Sequence, residues 1–170
     1  RAYVEGPILG LRGLLHTGQL PADERELCIL RVTARCGAEH EWGVHVAYFG
    51  KTSGLSPTQV KATVLGESAA EPWTPRQRAV ITVADAMVDM VELTDTELAE
   101  IDAVLTAATR TEIVTVSAQY LGISATCRAL GLPPEPGAPR FPGTSAERAS
   151  AHERSDREQN NDRESDGCGN

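Results

Sequence analysis

The chain has 170 residues and a formal net charge of −8. That length can bury a core without disulfides or metals, and it reads as one domain plus a tail. With 16 scattered basic residues against 24 acidic ones, the composition excludes a phosphate-backbone partner, which needs clustered Lys and Arg.

Glycines and a proline (Gly6, Pro7, Gly10, Gly13) weaken a first helix over residues 2–15. Residues 18–21 read as a turn, with Pro21 a candidate first helical residue. The helix that follows runs to about Cys36. Its apolar residues Leu27, Cys28, Ile29, Leu30, Val32 and Ala34 cover most of its circumference, so it is expected to be buried. Gly37 stops it. A third helix is expected over residues 39–53, closed by Gly54.

Four capping boxes come next, each a hydroxyl residue with Gln or Glu three residues later. Ser56/Gln59, Thr74/Gln77, Thr94/Glu97 and Thr109/Glu112 are each expected to open a helix. The last runs to about Leu130 and stops at Gly131. No alternating strand pattern competes, so the fold class is all-α, with about six to seven helices. Five prolines between Pro133 and Pro142 form an extended strap. From Thr144 the chain is polar and acidic and reads as a disordered tail. The domain division is therefore 1–142 for the helical domain and 143–170 for the tail.

The four cysteines have no Cys-x-x-Cys spacing, which favours a reducing, cytoplasmic setting over a disulfide framework. No apolar run reaches the roughly 20 residues of a membrane span.

Three groups able to move protons lie between residues 26 and 45. Glu41 and His45 are spaced i, i+4 and share a helix face, where a carboxylate can orient and charge an imidazole. A surface pair, or a core histidine bonded to backbone, fits the same spacing. Glu26 has capping-box spacing from Asp23, and that structural role is favoured on spacing alone. If Pro21 begins the helix instead, Glu26 lies a turn further in and is free for acid–base work. His40-Glu41 begins like a zinc-protease motif, but position 44 is Val. His40 and His45 are five residues apart, on different helix faces, so no metal site is expected. Trp42 reads as a core or interface residue, and less readily as a substrate contact.

Glu26, Glu41 and His45, with the words Arg25-Glu-Leu-Cys-Ile-Leu-Arg31, Glu39-His-Glu-Trp-Gly-Val-His45 and Gln119-Tyr120, resemble the carboxymuconolactone decarboxylase family, whose fold is shared with alkylhydroperoxidase-D-like (AhpD-like) proteins. The resemblance covers residues 1–142. It implies a helical bundle, assembly as a trimer or hexamer, and a small-molecule substrate handled without a cofactor. The peroxidase branch carries two redox cysteines, which fall on Ala38 and Glu41, so dithiol peroxide reduction lacks both sulfurs. The decarboxylase branch implies Glu26, Glu41 and His45 as catalytic residues. Trp42 and Arg31 are candidate substrate contacts, with Arg25 and Arg35 as further cations, although paired surface charges are the favoured reading of the three arginines. Two other functions stay open at this point: an antioxidant protein using Cys36 or Cys28 in an atypical way, and a non-catalytic oligomeric binding protein.

Overall fold

The structure is a computed structural model and describes residues 18–66 and 73–143. The helix expected over residues 2–15 and the polar tail, with Cys168, lie outside them. Six helices are present among the described residues, and no strand. They are α1 (Ala22–Arg35), α2 (Glu39–Phe49), α3 (Pro57–Leu65), α4 (Pro75–Asp89), α5 (Asp95–Asp102) and α6 (Ala107–Ala129).

Helix α1 is the hub: it packs against α2, α3, α4 and α6. Its apolar residues explain why, since Leu27, Cys28, Ile29, Leu30 and Val32 are all buried. They meet Val80, Ile81 and Val83 of α4 and Ile113, Val116 and Tyr120 of α6 in one core cluster. A side chain of this size, fully buried, contributes about 1.5–3 kcal/mol.

Three of the expected capping boxes form with both bonds in place, at Ser56, Thr74 and Thr94. The fourth does not. Thr106 caps α6, accepting from the Thr109 N–H, and the helix starts three residues earlier than the Thr109/Glu112 box implies. Glu112 instead reaches across the fold and accepts the backbone N–H groups of Gln19 and Leu20 at 2.9 and 3.1 Å. Helix α2 is also shorter than expected. It ends at Phe49, because Gly50 and the turn to Ser53 take the chain away before Gly54.

The turn between α1 and α2 decides the geometry of the site. Gly37 adopts φ +66°, the left-handed conformation that suits glycine. The Gly37 N–H then bonds to the Ala34 carbonyl and the Ala38 N–H to the Thr33 carbonyl, a Schellman closure. Only three residues separate the helices, so α2 folds straight back along α1. At 1.5 Å rise per residue, Glu26 and His45 each lie roughly two turns from that connection and come face to face.

The proline strap is tied to the first turn of α2. Glu39 accepts from Arg140 Nη2 at 2.9 Å and from the Phe141 N–H at 2.8 Å. The Arg140 guanidinium lowers the Glu39 pKa against the opposing effect of burial, and the Phe141 N–H assists. His40 Nδ1 donates to the Pro133 carbonyl at 2.6 Å. Gly43 makes the close approach possible, since a Cβ there would sit 2.6 Å from the Pro139 carbonyl oxygen.

Candidate functional site

Glu26 and His45 are each only 4 % exposed. Pro21 is the residue that caps α1, and no side chain closes that end. Glu26 is therefore not a capping residue, contrary to the reading favoured by its spacing from Asp23. A carboxylate buried this deeply needs partners, and Glu26 Oε2 takes His45 Nδ1 at 2.8 Å. On the other side of the imidazole, His45 Nε2 lies 3.0 Å from the Tyr120 hydroxyl. Glu41 Oε1 is 3.5 Å from the same nitrogen.

The result is a chain of carboxylate, imidazole and phenol, contributed by α1, α2 and α6. An ionised carboxylate only accepts hydrogen bonds, so Nδ1 carries a proton that it donates to Glu26. Nε2 is then the working nitrogen. It accepts from Tyr120 when the ring is neutral, and it donates towards Tyr120 or Glu41 when the ring is charged. Burial is the largest single influence on His45 and opposes its protonation. The bonds to Glu26 and Glu41 and their charges together outweigh it, so the histidine pKa is raised above its ordinary 6.5. Burial, reinforced by the charges of Glu26 and Glu41, pushes the Tyr120 phenol well up, so it remains a protonated donor at neutral pH.

The three predicted catalytic residues are thus brought together. Tyr120 was not among the residues expected at the site, although it lies in one of the family-like words. The available signal was a lone phenol among the apolar residues of α6: a buried tyrosine hydroxyl has to find a partner. Glu41 is the edge of the cluster towards solvent, with its side chain 17 % exposed. Phe49 stacks at a tilt on His45, with ring centroids 5.1 Å apart. Arg25 lies beside Glu26, its Nε 3.8 Å from Oε1. That buried Nε makes no hydrogen bond among the described residues.

The two candidate substrate contacts are placed elsewhere. Arg31 is buried and makes four hydrogen bonds. Its Nε and Nη2 hold Asp85 at 2.7 and 2.8 Å, and its Nη1 donates to the carbonyls of Thr63 and Gly66. The guanidinium ties α1 to α4 and to the end of α3, which is a structural task. Trp42 donates from Nε1 to the Thr63 hydroxyl at 3.1 Å and packs edge-on against Phe141. It faces a separate cleft, described below, rather than the imidazole.

The three cysteines among the described residues, Cys28, Cys36 and Cys127, are free. Burial pushes the Cys28 thiol up to about 12, against a counteracting bond from Ser117. Burial also raises Cys36, with Ser124, Arg128 and Arg35 opposing. Cys127 is raised as well, by burial first and by the charge of Glu41 second. Cys127 also lines a shallow groove of about 460 Å³ along the outer side of α6, with Gln119, Gly122 and Ile123.

The chain is similar, at a TM-score of 0.67, to the crystal structure of a protein of unknown function from Agrobacterium tumefaciens, provisionally described as an antioxidant defence protein, AhpD. Sequence identity is 15 %, and the match covers 75 % of this chain and 88 % of that one. The fold is therefore AhpD-like and all-α. No protein-family model and no curated protein matches the sequence.

Proposed function

We propose that this chain is a cofactor-independent acid–base enzyme of the carboxymuconolactone decarboxylase type, acting on a small carboxylate or lactone. The observation that carries the reading is the buried Glu26–His45–Tyr120 chain. It holds one imidazole in a defined tautomer, raises its proton affinity and leaves Nε2 to exchange a proton. Proton donation by a positioned imidazole contributes about 10²–10⁴-fold to a reaction of this class.

In the proposed reaction the carbon–carbon bond to the departing carboxylate breaks and its electron pair enters a dienolate. CO₂ leaves, and protonated His45 delivers its Nε2 proton to carbon. Glu26 stabilises the imidazolium through Nδ1, and Tyr120 holds the ring and donates to developing oxyanion charge. Glu41, at the solvent edge, returns a proton to Nε2. Arg25, beside Glu26, is a cation that could meet a substrate carboxylate. Thiol chemistry has less support, because peroxide reduction needs a thiolate, and Cys28, Cys36 and Cys127 are all shifted towards the protonated thiol. The same reading carries a cytoplasmic homo-oligomer, trimer or hexamer.

The test is turnover of carboxylated lactones and β-keto acids in D₂O, followed by NMR for CO₂ loss and deuterium on product carbon. His45→Ala and Glu26→Gln are expected to abolish turnover while the protein stays folded. Full activity in both variants would refute the acid–base assignment.

A further inference from the structure

The chain contains only two lysines, Lys51 and Lys61. Both line one cleft of about 600 Å³, within the roughly 300–1,000 Å³ typical of small-molecule sites. Its apolar side is built from Trp42 and Val46 of α2, from Leu55 just before α3 and from Val60 within it. Pro139 and Pro142 of the strap form the opposite wall, together with Arg140.

The charge pattern is what singles this cleft out. The chain as a whole is acidic, yet among the described residues no Asp or Glu lines the cleft, while three cations do. Arg140 is committed to Glu39. Lys51 and Lys61 make no ion pair among the described residues, and both are exposed. Lysine is a compact charge with three donors on a flexible stem, suited to closing on an anion that arrives at an apolar surface. The indole of Trp42 cannot serve as a polar contact here, because its Nε1–H is already bonded to Thr63. It offers the cleft only a narrow apolar edge, since Trp42 is 3 % exposed.

We infer that this cleft binds a small organic acid, its apolar body on Trp42, Val46, Leu55 and Val60 and its carboxylate between Lys51 and Lys61. The cleft lining includes none of Glu26, His45 and Tyr120, so the inference does not rest on the acid–base reading.

The wall on the strap side is pre-formed rather than left to the ligand. Glu39 fixes both Arg140 and the Phe141 backbone, and Gly43 lets Pro139 seat against α2. Holding the wall in place lowers the ordering cost of binding.

Octanoate is a suitable probe, with 1-octanol as its uncharged counterpart, each titrated into the full chain by NMR and calorimetry. Octanoate is expected to shift the resonances of Trp42, Val46, Leu55 and Val60 and to bind about tenfold more tightly than octanol, as two exposed charge contacts allow. Lys51→Gln/Lys61→Gln should erase that advantage and leave octanol binding unchanged. Both side chains are exposed, so the double variant is expected to keep its circular dichroism and melting temperature. The inference is overturned if octanoate binds no better than octanol, if the double variant binds octanoate as the wild type does, or if the shifts map to His45 and Glu41 instead.

Discussion

Asp85→Ala isolates the Arg31 pair and tests whether that arginine is structural. Arg31 has a side chain 7 % exposed, and Asp85 meets it with two bonds of 2.7 and 2.8 Å. Removing the carboxylate leaves a buried guanidinium supported, among the described residues, by the carbonyls of Thr63 and Gly66. Breaking a buried pair by deleting one partner costs about 3–5 kcal/mol. Asp85 is itself 18 % exposed and also touches Arg35 at 3.2 Å, which places the expected loss at the lower end, about 3 kcal/mol. For a chain of this size that is a fall in Tm of about 6–12 °C. Urea unfolding at constant m-value measures it. The double variant Arg31→Met/Asp85→Leu is expected to recover most of the loss, because an apolar pair of similar volume avoids the cost of burying charge. A loss below about 1 kcal/mol, the size of a surface pair, would refute the reasoning and return Arg31 to the groups free to meet a substrate.

Gly43→Ala is expected to lift the strap rather than unfold the helix. The added Cβ would press on the Pro139 carbonyl at 2.6 Å, while the helix itself gains about 1 kcal/mol from the change. Global stability should therefore move little, while amide exchange across residues 133–142 accelerates and Trp42 fluorescence shifts to the red as Phe141 leaves it; unchanged protection there would contradict the close contact. Stability should also carry the signature of His45. Its pKa is raised on folding from 6.5, so its contribution is fully present below pH 6.5 and is lost as pH rises through the folded value. The stability gap between wild type and His45→Gln should accordingly narrow with rising pH in chemical denaturation, and a gap that widens would reverse the sign of the argument.

Local chemistry made much of this fold legible in advance. Hydroxyl caps at Ser56, Thr74 and Thr94 and the stops at Gly37 and Gly131 depend on neighbours within a few residues, and the structure agrees with all five. The failures share a different cause. Glu112 has capping-box spacing but is drawn to two backbone N–H groups more than ninety residues away. Glu26 likewise has the spacing of a cap and is claimed by His45 from the next helix. Arg31 reads as a possible substrate contact or a paired surface charge, and Asp85, 54 residues later, gives no local sign that the pair is a buried one. Tyr120 went unassigned because its partner lies 75 residues earlier in the chain. Each of these four is a polar group whose partner is set by tertiary packing, which periodicity and caps do not encode.

The central claim is that Glu26 charges His45 inside the core, and the imidazole titration measures it most directly. Nitrogen–proton correlation NMR follows Nδ1 and Nε2 of His45 across the pH range in the wild type and in Glu26→Gln. The wild-type pKa is expected above 6.5 with Nδ1 protonated throughout, and a clear fall is expected in Glu26→Gln, where burial acts with less to oppose it. A wild-type histidine titrating at or below 6.5, or one indifferent to Glu26→Gln, would contradict it.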